Sequence, residues 1–157
     1  MIVVSDSSPL IALARIGRLD LLRLLFGTIV VPEAVWREIV NAGAGKSGAD
    51  EVETAEWIQR RTVQQKNLVA LLQQDLGAGE SEAIVLAQEI NARFVLLDDR
   101  RGRLAAQRFG VRAVGLIGVL IEARKSGRLT DAAIIVERLY QEAGFWISPE
   151  LKHLITG

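Results

Sequence analysis

Phe94–Leu97 is an apolar run that ends abruptly at a pair of acids. A short run without polar alternation is typical of a strand buried on both faces, as in a parallel sheet that helices cover on each side. Asp98 and Asp99 follow this run directly. The segment therefore predicts a buried parallel strand with carboxylates at its carboxyl end.

Similar short apolar segments alternate along the chain with segments of helical periodicity. The predicted strands are Ile2–Ser5, Thr28–Val31, Trp57–Val63, Phe94–Leu97 and Arg112–Val114. The predicted helices are one that Ser8 caps and that runs from Pro9 to Ile16, then Leu19–Leu25, Glu33–Asn41, Lys66–Gln74, Glu80–Asn91, Arg100–Phe109, Leu116–Lys125, Thr130–Ala143 and Pro149–Ile155. Such alternation favours the α/β class, here a three-layer α/β/α fold with a mainly parallel five-stranded sheet.

The chain has 157 residues, of which half are hydrophobic. This length fits one domain with a single core. We expect one domain over residues 1–157, with a core over 1–127 and C-terminal helices over 128–157. Cysteine is absent, which excludes disulfides and thiolate-bound zinc.

The N-terminus has no basic segment or cleavage site typical of a secretory signal. The longest apolar run, Ala113–Ile121, is far shorter than the roughly 20 residues that a membrane span needs. The sequence therefore predicts a cytoplasmic protein without a membrane partner. Nineteen basic residues balance nineteen acidic ones, so any binding of nucleic acid must depend on local patches.

Several acids follow or flank the predicted strands, where ligands of open α/β sheets bind. These acids are Asp6, Glu38, Glu80, Glu82, Asp98 and Asp99. Carboxylates gathered in this way repel one another, and bound Mg²⁺ or Mn²⁺ is the usual means of relieving the repulsion. The pattern suits metal-assisted cleavage of phosphodiester bonds.

Each acid also has a structural interpretation of its own. The aspartates that follow strands can cap helices, and Glu80 and Glu82 can stabilise the first turn of a helix through its macrodipole. Glu38 can be a solvated helix residue. Independent caps, however, have no reason to converge on one edge of one sheet, so the shared location favours a site.

Four segments resemble the motifs of PIN-domain proteins: Val3–Ile11, Val31–Ile39, Gly79–Ile84 and Leu97–Arg103. The third and fourth are similar to those of a stand-alone prokaryotic branch of unknown function. The resemblance covers Met1–Gly127, and the tail at Gly144–Ser148 is similar too. The resemblance implies that the protein has the PIN-like fold and is a nuclease.

The resemblance also implies roles for single residues. Asp6 and Asp99 are the expected principal metal ligands, with Asp98 as the second candidate. Glu82 is expected to be a ligand or a water-orienting group, and Glu38 a direct or outer-sphere ligand, whereas Glu80 is less favoured. The chain departs from the wider family in having Glu82 in place of Asp, and Leu97 in place of Thr two positions before the last Asp.

The implied activity is cleavage of single-stranded RNA with Mg²⁺ or Mn²⁺, often in a toxin–antitoxin setting, so an antitoxin protein is an expected partner. Arg100, Arg101 and Arg103 follow the acidic pair, and guanidinium groups match phosphate geometry. They could equally pair with carboxylates or be solvated. Apolar helices in the C-terminal third also suggest a homodimer.

Other functional classes fit less well. Ala42–Gly48 resembles a nucleotide-binding loop, but Val40 stands where its first glycine should be and the segment follows a helix. A phosphoacceptor receiver domain needs its acidic pair after the first strand, and an Asp-x-Asp phosphatase needs an acid at Ser8. The strongest alternative is a degenerate PIN-like module that binds RNA or a partner protein without cutting.

Overall fold

A parallel sheet organises the chain. The computed structural model describes residues 2–41 and 49–156. Its strands are β1 (Val3–Ser5), β2 (Ile29–Pro32), β3 (Ile58–Arg61), β4 (Phe94–Leu96) and β5 (Ala113–Val114). They lie in the order β3-β2-β1-β4-β5, and every pairing is parallel. The predicted five-stranded sheet and its α/β class are confirmed.

Side chains of the central strands point alternately to two different cores. Val3 and Phe94 enter one hydrophobic core, whereas Val4 and Val95 enter the other. This follows from the two-residue period of a strand. All four side chains are buried, which explains why these strands are continuous apolar runs in the sequence.

Helices cover both faces of the sheet. In the described residues they are α1 (Ser7–Arg15), α2 (Asp20–Phe26), α3 (Glu33–Val40), α4 (Ala49–Thr54), α5 (Lys66–Leu72), α6 (Ala78–Glu89), α7 (Arg100–Arg108), α8 (Leu116–Lys125), α9 (Ala132–Ala143) and α10 (Pro149–Thr156). None of them is long and apolar enough to cross a membrane.

The two cores define the layers. Helices α5, α6 and α7 bury residues such as Val69, Leu86 and Ala106 in one core. The larger core on the opposite face contains residues of α1, α2, α8 and α9, among them Leu13 and Leu139. Helix α9 packs against α1 and α8, and α10 packs against α9. The division of the chain at residue 127 stays a prediction.

The structure differs from the sequence expectations at a few places. Helix α4 was not predicted, because it has six residues and is too short to show helical periodicity. Helix α1 begins at Ser7, so Asp6 and not Ser8 occupies its N-cap position. Helix α6 begins at Ala78, two residues before the predicted start at Glu80. The nucleotide-loop-like segment lies outside the described residues.

Candidate active site

The acidic residues gather at the carboxyl edge of the sheet around β1. The strand order places β1 between β2 and β4, and the crossover connections change direction there. Asp6 follows β1 directly, and its backbone N–H donates to the carbonyl of Leu96 at 2.9 Å. The chain after β4 reaches Asp98 and Asp99 at the same edge. This is the position where open α/β sheets bind their ligands.

Asp6 is the most deeply buried of these acids, with 5% of its surface exposed. It occupies the N-cap position of α1 but makes no side-chain capping hydrogen bond. Its Oδ1 is buried without a hydrogen-bond partner. Burial, together with the charges of Glu38, Asp98 and Asp99, raises the pKa of Asp6 to about 6, although a hydrogen bond with the Ser7 backbone opposes this.

Glu38 connects the beginnings of two helices. Its Oε2 accepts a hydrogen bond from Ser7 Oγ at 2.8 Å, and its Oε1 accepts one from the Gly79 N–H at 3.0 Å. Ser7 opens α1 and Gly79 lies in the first turn of α6. These two bonds hold the Glu38 carboxylate in one orientation beside Asp6.

Glu80 also belongs to the cluster. Burial raises its pKa to about 7, and a hydrogen bond with Asp99 and the charges of Asp6 and Asp99 contribute. A bond between two carboxyl groups requires a proton on one of them. Oε2 of Glu80 is otherwise buried without a partner.

Glu82, in contrast, makes its described hydrogen bond to helix α3 and not to the other acids of the cluster. Its Oε1 accepts a hydrogen bond from the Ala34 N–H in the first turn of α3, at 3.0 Å. Glu82 is not among the groups that raise the pKa of Asp6. The resemblance to PIN domains favours Glu82 over Glu80, but residues two apart on a helix do not share a face, and the structure brings Glu80 to the cluster. That spacing was the signal available in the sequence.

Asp98 and Asp99 each accept a bond at the start of a helix. Oδ1 of Asp98 accepts from the Leu116 N–H at 2.9 Å, and Asp99 caps α7 by accepting from the Gly102 N–H at 3.2 Å. Oδ2 of Asp98 is buried without a partner. Burial raises the pKa of Asp98, while the Leu116 N–H and the charge of Arg103 lower it.

Three glycines leave room for three of these carboxylates. An added Cβ at Gly79 would overlap Oε1 of Glu38. At Gly102 it would lie 2.9 Å from Oε2 of Glu80, and at Gly115 it would lie 2.9 Å from Oδ1 of Asp98. Real Cβ contacts are not this short. This role could not be predicted, because nothing in the sequence shows which glycines face a carboxylate.

The predicted RNA-binding arginines lie on different sides of α7. Arg100, Arg101 and Arg103 are all exposed. Arg103 donates from Nη1 to the backbone carbonyl of Asp98 at 2.8 Å. Arg101 instead lines a separate groove together with Arg108. Arg103 is thus the one of the three that the described contacts connect to the acidic residues.

The comparisons with known proteins identify the family of this fold. The family model described as DUF3368, a PIN domain, matches residues 2–156. The chain belongs to this PIN-domain family. A solved structure that is similar to this PIN domain is a PilT N-terminus domain protein from the hyperthermophilic archaeon Sulfolobus solfataricus P2. The TM-score is 0.51 at 18% sequence identity, over 94% of this chain and 98% of that one. This likeness supports the fold alone. No curated protein matches significantly.

PIN domains are commonly nucleases and generally use divalent metal ions. Within residues 2–41 and 49–156 of this PIN domain, no group of three or more Asp, Glu or His side chains is arranged to hold a metal ion as it stands. Its chemistry nevertheless fits such an ion. Oxygens of Asp6, Glu80 and Asp98 are buried without partners, and hard divalent cations prefer carboxylate oxygens.

Proposed function

We propose that this PIN domain is a metal-dependent ribonuclease that cleaves phosphodiester bonds of single-stranded RNA. The proposal rests mainly on the burial of the Asp6 carboxylate, whose Oδ1 has no hydrogen-bond partner. A buried carboxylate that caps nothing and faces other acids is unfavourable unless a cation compensates it. A role as a metal ligand explains why such a carboxylate lies at the carboxyl end of the central strand.

Asp6, Glu80, Asp98 and Asp99 are the groups that would hold Mg²⁺ or Mn²⁺. When bound, the ion would supply an activated water and charge stabilisation for the leaving oxygen. Glu38 is held by Ser7 and Gly79, and from its position beside Asp6 it would orient a water molecule or another ligand of the ion. The sequence predicted that Glu82 would be a ligand or would orient the water. Because Glu82 accepts a hydrogen bond from the Ala34 N–H, we propose that it mainly holds the start of α3 in place.

The substrate proposal depends on charge. Arg103 is exposed and donates to the backbone carbonyl of Asp98, so its guanidinium group can bind a backbone phosphate beside the acidic residues. Arg100 and Arg101 are also exposed and can bind phosphates farther along the RNA strand. The carboxylates themselves repel phosphate until a cation is bound, so RNA binding and metal binding should support each other.

The test is cleavage of a fluorescent single-stranded RNA in Mn²⁺, in Mg²⁺ and in EDTA. We expect cleavage with either ion, none in EDTA, and none for Asp6→Asn, which keeps the side-chain volume but removes the charge. Asp75→Asn is the matched control, because Asp75 is exposed and lies outside the cluster. An Asp6→Asn protein that cuts at the wild-type rate would refute the proposal.

The alternative is a PIN module that binds RNA or a protein without cutting. The observation that favours it is that Asp98, Asp99 and Glu82 all accept backbone N–H groups at helix starts. Such structural roles would retain these acids even without catalysis. Calorimetric titration of Mn²⁺ separates the two functions, since the nuclease should bind the ion and Asp6→Asn should bind it much more weakly.

A toxin–antitoxin setting in the cytoplasm belongs to the same proposal. An antitoxin would have to neutralise the carboxylates, which an Arg or Lys side chain can do in place of a metal ion. It should therefore slow cleavage and compete with Mn²⁺. A homodimer through the C-terminal third is a further proposal, supported by the exposed side chains of Ile134, Trp146 and Leu154.

A further inference from the structure

A cavity lies away from the carboxylates, at the amino ends of β4 and β5. Phe94 is the first residue of β4, and Arg112 directly precedes β5, so this end of the sheet is opposite to the acidic edge. The cavity has a volume of about 400 Å³. Small-molecule sites commonly have roughly 300 to 1,000 Å³. We call it the basic cavity.

The basic cavity has an apolar floor. Phe26 and Phe94 line it and pack edge to face, with ring centroids 5.4 Å apart and an interplanar angle of 74°. Val119 of α8 lines it as well. Phe26 is only partly buried. The floor can therefore receive a flat apolar group, which aromatic and aliphatic surfaces bind by removing it from water.

Three arginines surround this floor: Arg93, Arg112 and Arg128. All three are exposed, and Glu122 is the single acid among the described residues that line the cavity. Arg128 is held in place because its Nη2 donates to the backbone carbonyl of Leu25 at 2.5 Å. In the part of the chain that the structure describes, no ion pair or side-chain hydrogen bond engages Arg112. The lining thus has an excess of positive charge, in a chain whose net charge is zero.

Gly118 provides an independent reason to expect an occupant. It lies within α8 and lines the basic cavity. An added Cβ would meet only Cγ1 of Val114, at 3.7 Å, which is ordinary contact. Its φ is not positive, so neither packing nor backbone conformation requires glycine here. A glycine inside a helix lowers stability relative to alanine, which is explained if the space above it is used.

We propose that the basic cavity binds a small organic anion in which a flat apolar ring carries a phosphate or a carboxylate group. The ring would lie against the partly buried Phe26, which packs edge to face on the buried Phe94, and the anionic group would receive donors from Arg112 and Arg128. Guanidinium groups suit either anion, because their parallel N–H donors match two oxygens at once.

Calorimetric titration in EDTA tests the proposal with two probes. Adenosine monophosphate represents the ring phosphates, and naphthoate represents the ring carboxylates. We expect at least one of them to bind about tenfold or more tightly than inorganic phosphate, acetate or adenosine alone, because ring and anion contribute together. If neither probe binds better than its separate halves, the proposal is wrong.

Two variants locate the binding. Gly118→Trp should fill the basic cavity, and Arg112→Gln should remove one anion donor. Each should weaken binding of the probe by about tenfold or more. Arg15→Gln is the matched control, since Arg15 is exposed but does not line the cavity, and it should bind like the wild type.

Arg112→Gln keeps the proposal testable if Gly118→Trp does not fold, because the Arg112 side chain is exposed and has no described hydrogen bond or ion pair to lose. A probe that binds both variants as tightly as the wild type occupies another part of the molecule. That result would overturn the assignment of the basic cavity.

Discussion

Among single residues, Asp6 has the least structural justification for its charge. Asp98 and Asp99 each accept a backbone N–H at the start of a helix. Asp6 makes no side-chain capping bond, has a buried Oδ1 without a partner despite its bond with the Ser7 backbone, and is 5% exposed. Its ionised form is disfavoured by burial and by neighbouring carboxylates. Without a cation, this carboxylate should therefore destabilise the fold.

We predict that Asp6→Asn raises the stability of the metal-free protein. The pKa of Asp6 is raised from 3.8 to about 6. At about 1.4 kcal/mol per pH unit, removing the charge should stabilise the fold by about 1 to 3 kcal/mol near neutral pH. Thermal unfolding in EDTA measures this as an increase in Tm of several degrees. A lower Tm would show that Asp6 forms a buried ion pair or structural bond instead.

The same prediction has a pH dependence with a definite sign. A carboxyl group whose pKa is raised by folding binds more protons in the native state than in the unfolded state. The protonated form of Asp6 therefore contributes to stability below about pH 4, and this contribution is lost as the pH rises through about 6, the pKa of Asp6 in the folded protein. The Tm advantage of Asp6→Asn over the wild type should grow between about pH 4 and pH 7, and Mn²⁺ should reduce it.

Glu80 and Glu82 differ by two residues but should differ strongly in function. Glu80 lies beside Asp99 with a partnerless oxygen, whereas Glu82 accepts the Ala34 N–H. Glutamine can still accept that bond but is a poorer ligand for a cation. We predict that Glu80→Gln lowers the rate of RNA cleavage more than Glu82→Gln does. Equal or reversed losses in single-turnover assays would return Glu82 to the principal site.

For the helices and strands, the contacts at Gly102 connect packing to the site. An added Cβ there would lie 2.9 Å from both Oε2 of Glu80 and Cδ2 of Leu97. Leu97 is fully buried and cannot move freely, so α7 or the Glu80 carboxylate must shift. Elsewhere in a helix, alanine would be preferred to glycine.

We therefore predict that Gly102→Ala destabilises the protein by about 1 to 3 kcal/mol and slows RNA cleavage roughly 10- to 100-fold through misplacement of Glu80. Chemical unfolding and cleavage assays measure the two effects. Gly118→Ala is the control for stability, because its Cβ meets no close atom, and it should be stabilising. If both substitutions change stability alike, the close contact at Gly102 does not exist in solution.

Much of this arrangement could be predicted from local patterns. Apolar runs such as Phe94–Leu97 and acids such as Asp6 after a strand are visible in the sequence, because each depends on residues close in the chain. The choice between Glu80 and Glu82, and the need for Gly79, Gly102 and Gly115, depend on contacts between distant segments. The spacing of apolar residues along the chain does not show which distant segments come into contact.

For the whole molecule, a net charge of zero limits how RNA can be bound. Attraction must come from a few local arginines, and about three neutralised phosphates would give a slope of about −2 for log affinity against log salt concentration. Arg103→Gln should make this slope shallower by about 0.7. Fluorescence anisotropy of labelled single-stranded RNA in EDTA measures both values. A slope steeper than about −5 would indicate an extended basic surface.

The parallel pairing of β1 with β4 joins Val3 to Phe94, so the two ends of the site come from distant parts of the chain. Contacts of such long sequence separation form late and slowly during folding. A growing chain that has not yet reached Phe94 has β1 and its acid but lacks the neighbouring strand and Asp98. If the cluster is the nuclease site proposed above, a nascent chain that ends before Asp98 lacks part of this site and should not cut RNA.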